Sequence, residues 1–73
     1  MARKASVLIE KDENVFYAWC LELKGCQSQG DTLEETVANI KEAIEPYLET
    51  LPAEERDVLL SRQVLTTAVE VDA

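Results

Sequence analysis

Apolar and polar residues alternate near the start of the chain. Ala5, Val7 and Ile9 fall on one side and Ser6, Leu8 and Glu10 on the other, the period-two pattern of a half-buried strand. Lys11-Asp12-Glu13-Asn14 is a polar turn. Val15 to Glu22 reads as a second strand, rich in aromatic and β-branched residues. Leu23-Lys24-Gly25 turns the chain, and Cys26 to Gln29 forms a short third strand. Connections this short predict an antiparallel meander.

After Gly30 the period changes. Thr32-Leu33-Glu34-Glu35 matches a capping box, with Thr32 as N-cap and the Glu35 side chain reaching back to it. Leu33, Val37, Ile40, Ile44, Tyr47, Leu48 and Leu51 then recur at spacings of three and four, which makes one face of a helix. Pro46 interrupts that pattern and predicts a kink or a restart. Pro52 before Ala53-Glu54-Glu55-Arg56 reads as the first turn of a shorter helix. Residues 64–71 alternate again, with Leu65, Thr67, Val69 and Val71 set against Val64, Thr66, Ala68 and Glu70, and predict a fourth strand. The expected fold is α+β: a single domain over residues 1–73, in two layers of order β-β-β-α-β. It combines a three-strand antiparallel meander, a C-terminal strand and one main helix on one sheet face.

The second strand is apolar on both sides. Phe16, Ala18 and Cys20 share one face; Val15, Tyr17, Trp19 and Leu21 share the other. One helix covers only one face of a small sheet. Tyr17 and Trp19, with Val15, Leu21 and Leu8 beside them, are therefore the candidate partner-binding residues, since Tyr and Trp are typical interface anchors. The competing expectation is that residues 52–62 fold over them. That segment is short and carries Glu54, Glu55, Arg56, Asp57 and Arg62, which disfavours it as a lid.

Length and charge sharpen this picture. A chain of 73 residues has little core, so outside stabilisation is expected, and a homodimer or higher oligomer, built on the aromatic face or on the edge of the terminal strand, would supply it. Fifteen acids against seven Lys and Arg give a net charge of −8. That disfavours direct nucleic-acid binding, which needs a basic face, and suits docking on a basic protein. No apolar run approaches the ~20 residues of a membrane span, and the start lacks the apolar core of a signal peptide. A soluble, cytoplasmic protein is expected.

The five residues between Cys20 and Cys26 span a tight turn that can bring the two side by side, and three readings compete. Zinc wants four Cys or His ligands; with two Cys and no His, only a site shared between chains would complete it. A disulfide suits the spacing but not a reducing compartment. The favoured reading is two small apolar core residues. The missing histidine also excludes Ser/His and Cys/His nucleophiles. Glu10 with Asp12, and Asp31 with Glu34 and Glu35, read as a solvated turn and as helix-dipole partners rather than as a metal site. Neither a catalytic residue nor a cofactor is expected, and the protein is read as not an enzyme.

The run from Val7 to about Leu48 resembles the HicB antitoxin family. The resemblance is carried by Ile9-Glu10-Lys11-Asp12, Phe16, Ala18, Gly25-Cys26, Ser28-Gln29-Gly30-Asp31-Thr32-Leu33-Glu34-Glu35 and Asn39-Ile40-Lys41-Glu42-Ala43-Ile44. Within it Gly25, Cys26, Gly30, Thr32 and Glu35 have structural roles. Leu21 and Lys24 stand where the family typically has prolines. The resemblance implies a truncated, catalytically silent RNase H-like domain that binds and blocks a small basic HicA ribonuclease. Complete members usually carry a C-terminal DNA-binding segment, which is not expected here. The rival readings are an orphan oligomeric scaffold and, behind it, a metal-dependent RNase H-like nuclease.

Overall fold

The computed structural model describes residues 3–72. Strands β1 (Val7–Lys11), β2 (Phe16–Cys20) and β3 (Gln27–Gly30) precede helices α1 (Leu33–Glu49) and α2 (Ala53–Leu60). The strands form one antiparallel sheet in the order β1-β2-β3, the meander that the short connections predict. Leu8 lies opposite Trp19 and Glu10 opposite Tyr17; across the other ladder Trp19 faces Gln27 and Tyr17 faces Gln29.

The turn from β2 to β3 is more than a connector. Gly25 takes φ of +81°, a left-handed conformation that costs glycine little. The Cys26 N–H then donates to the Leu23 carbonyl at 3.2 Å, and the Cys20 N–H to the Cys26 carbonyl at 3.0 Å. This places Leu23 in the core and leaves it only 2% exposed. Glu22 is buried as well; its carboxylate accepts the Ser6 N–H at 2.8 and 3.0 Å and so ties the start of β1 to the exit of β2.

Helix α1 packs on the face that carries Ala18 and Cys20. These two residues with Leu23, Cys26, Ile40 and Ile44 make the core, and Ala5, Val7, Ile9, Ala43, Leu48 and Leu59 pack around it. Thr32 caps the helix, its hydroxyl accepting the Glu35 N–H at 3.1 Å. Among the described hydrogen bonds the return contact from the Glu35 carboxylate to Thr32 is not formed, so the capping box is half built; Glu35 is exposed. Gly30 lies tight against the first turn, where an added Cβ would meet Thr36 Oγ1 at 2.7 Å and the Thr36 nitrogen at 2.9 Å. Helix α1 runs unbroken through Pro46 to Glu49, contrary to the expected interruption. Proline there removes one bond, to the exposed Glu42 carbonyl position, and only three helical residues follow it.

The predicted fourth strand is the main departure. Residues 64–71 join no ladder of the sheet and have no regular secondary structure, with Leu65 at 82%, Val69 at 76% and Val71 at 78% exposure. Alternation makes a segment fit for a sheet but does not provide the edge it pairs with. The described architecture is thus three antiparallel strands and two helices.

Candidate functional site

The outer sheet face is built by the register. On β2 the residues bonded to β1 are Tyr17 and Trp19, and they alternate away from the buried Ala18 and Cys20. Their rings stack at 6.2 Å between centroids with 30° between planes, within the range of a favourable offset pair. Leu8 joins them from β1, directly opposite Trp19, and is exposed, as is Leu21, whose N–H donates to the Ser6 carbonyl at 2.9 Å. Val15 stands just before β2, half-buried. The structure therefore groups all five of Leu8, Val15, Tyr17, Trp19 and Leu21 along one ladder.

Neither helix covers this face. Helix α1 packs against the opposite side, and α2 lies beside α1, with Leu59 against the core and Arg56, Asp57 and Leu60 near the start of β1. An ion pair of 2.8 Å between Arg3 and Asp57 marks that position. Residues 52–62 are not a lid over Trp19, as their charge led one to expect.

Two members of the face were overlooked in the sequence. Gln27 and Gln29 are exposed on β3 opposite Trp19 and Tyr17, and they add an amide strip beside the aromatic pair. The signal was present: Gln27 and Gln29 alternate with Cys26 and Ser28, of which Cys26 is buried and Ser28 half-buried. Glu10, opposite Tyr17, puts a carboxylate at the margin. An apolar centre with acceptors and one negative charge around it suits a partner that offers apolar side chains flanked by basic ones.

Cys20 and Cys26 are buried free thiols. Burial pushes both above the ordinary thiol value; at Cys20 hydrogen bonds from the Glu22 and Leu23 backbone oppose the rise, and the Glu22 charge adds to it. Such thiols are poor nucleophiles. Among the described residues no group of three or more His, Cys, Asp or Glu gathers as a metal site. No helix among them is long and apolar enough to cross a membrane.

Comparison with known proteins agrees with the resemblance read from the sequence. The model of the HicB_like antitoxin of bacterial toxin-antitoxin systems matches residues 6–72. A UPF0150 protein of Helicobacter pylori is 46% identical over 66 residues, covering 90% of this chain and 92% of its own. A UPF0150 protein of Synechocystis is 54% identical over 54 residues, covering 73% and 68%. One of Thermoplasma acidophilum is 47% identical over 49 residues, covering 66% and 71%. No solved structure matches the chain. With a match that spans both the sheet and the helices, the chain belongs to the HicB-like antitoxin family.

Proposed function

We propose that the protein is a non-enzymatic antitoxin that binds a small basic HicA-type ribonuclease through the outer sheet face and blocks it. Family membership supports the antitoxin role. The observation that carries the choice of surface is the stacked, half-buried Tyr17–Trp19 pair on the sheet face away from α1, bordered by the exposed Leu8 and Leu21. Both rings are already half-buried, so covering the surface that remains open would contribute on the order of 1–4 kcal/mol at about 25 cal/mol per Å². A net charge of −8 would draw a basic partner and speed the encounter at low salt. Cytoplasmic residence fits the two free thiols.

The test is RNA cleavage by a HicA-type ribonuclease from the adjacent reading frame, with increasing amounts of this protein. The parent should inhibit; Trp19→Glu should need at least about thirtyfold more, the effect of an anchor worth ~2 kcal/mol. An equally potent Trp19→Glu would refute the surface, and no inhibition by the parent would refute the function. The protein alone should cleave neither RNA, DNA nor hybrid with Mg²⁺ or Mn²⁺ present; cleavage lost in Glu10→Gln would restore the nuclease reading.

A further inference from the structure

We propose that residues 64–71 are a strand donated to a second copy of this chain, where they pair with the open edge of β1 and complete a four-stranded sheet in each protomer. This goes beyond the toxin-binding reading and does not depend on it.

The first observation is the edge. β1 is an outer strand. Because the Leu21 N–H donates to the Ser6 carbonyl and Leu8 lies opposite Trp19, the even-numbered residues of β1 bond inward. The peptide groups of Val7, Ile9 and Lys11 then point outward, as antiparallel pairing requires. The opposite edge differs: β3 has four residues, and its outward Gln29 carbonyl already accepts the Asn39 side-chain amide at 2.8 Å. Among the described residues this edge has no proline and no partner for its outward peptide groups, which makes it a template for a further strand.

The second observation is the groove beside that edge. It holds about 870 Å³ between β1, α1 and α2, and Ala5, Val7, Ile40, Ile44, Leu48 and Leu60 supply its apolar lining. Val37, which borders it, is 47% exposed despite its place in the apolar stripe of α1. The side of the two-layer sandwich where a fourth strand belongs is open.

The third observation is the segment itself. Leu65, Val69 and Val71 share one side of residues 64–71 and are almost bare. An eight-residue strand spans roughly 26 Å at ~3.3 Å per residue, enough to run along Ala5–Lys11. The radius of gyration is 13.9 Å, against about 11 Å for a compact chain of this length, so the segment projects. Only Ser61, Arg62 and Gln63 separate it from α2, and Ser61 is held by its N–H to the Asp57 carbonyl at 3.0 Å. A short hinge of this kind opposes folding back and favours exchange between protomers. Each copy gives one strand and receives one, so two-fold symmetry closes the assembly.

Sedimentation of the full chain across the micromolar range should show a dimer. Val69→Asp should raise its dissociation constant at least about a hundredfold, because each dimer would bury the carboxylate twice. Far-UV circular dichroism should stay that of a folded protomer, since Val69 is exposed within one chain. Mixed labelled and unlabelled parent protein should give intermolecular NOEs between the Val69 methyls and those of Val7 or Ile9. A monomeric parent, a dimer unaffected by Val69→Asp, or NOEs that join tail only to tail or stay within one chain would overturn the proposal.

Discussion

The contact between Gly30 and the first turn of α1 gives the sharpest test of the fold. In Gly30→Ala the new methyl would lie 2.7 Å from Thr36 Oγ1, 2.9 Å from the Thr36 nitrogen and 3.2 Å from the Glu35 carbonyl carbon. Thr36 is fully buried, and its hydroxyl donates to the Thr32 carbonyl at 2.8 Å, so it does not rotate away freely. The other two atoms are backbone, and relief requires β3 and α1 to separate. Overpacking of this kind costs ~1–3 kcal/mol, which in a domain of this size lowers Tm by about 4–8 °C per kcal/mol. Thermal melts by circular dichroism would measure it. Gly30→Ala/Thr36→Ala should recover only part of the loss, because the backbone contacts remain. Gly25→Ala is the control: nothing lies within 4 Å of its added Cβ, so its penalty of about 1–2 kcal/mol comes from positive φ alone. Asparagine, which tolerates that region, should be milder than alanine at Gly25 and harsher at Gly30. A Gly30→Ala protein that melts with the parent would refute the close approach of β3 to α1.

Thr32→Ala should cost about 1 kcal/mol, read in the same melts, since its hydroxyl caps α1. Glu22→Ala should cost ~1.5–3 kcal/mol by leaving the Ser6 N–H without its charged acceptor, with Glu22→Gln intermediate in urea titration. Both thiols should resist iodoacetamide in the native protein and react at once in urea. Their folded pKa values lie above the unfolded ones, so the protonated form favours folding. That contribution is fully present below about pH 8.5 and is lost as pH rises past it; Cys20→Ser/Cys26→Ser should flatten the alkaline limb of a stability–pH curve.

The meander and the α1 start were legible because short-range rules decide them: alternation, a polar turn, and a threonine placed three residues before Glu35. The outer face was legible for a related reason, since alternation alone assigns Tyr17 and Trp19 to the side away from Ala18. Three features lay beyond such rules. Leu23 and Glu22 sit in what reads as a turn, yet the left-handed Gly25 folds that turn onto the core. The buried line of α1 is Thr36, Ile40 and Ile44; a threonine in the core escapes a count of apolar residues because its hydroxyl finds the Thr32 carbonyl. Leu33, Val37 and Tyr47 fit the stripe but remain exposed, since a three-stranded sheet is narrower than the face that the stripe describes. The partner edge of residues 64–71 was illegible for a deeper reason: sequence periodicity is a property of one strand, whereas pairing belongs to two.

Docking of a basic ribonuclease on the outer sheet face would change the environment of the backbone amides there. Amide chemical shifts of the labelled chain, followed during titration with a catalytically inactive HicA-type ribonuclease, test it most directly. The largest changes are expected at Leu8, Tyr17, Trp19, Leu21, Gln27 and Gln29, with little movement on the solvent side of α1. Changes centred on α1 or α2, or none at saturating ribonuclease, would contradict it.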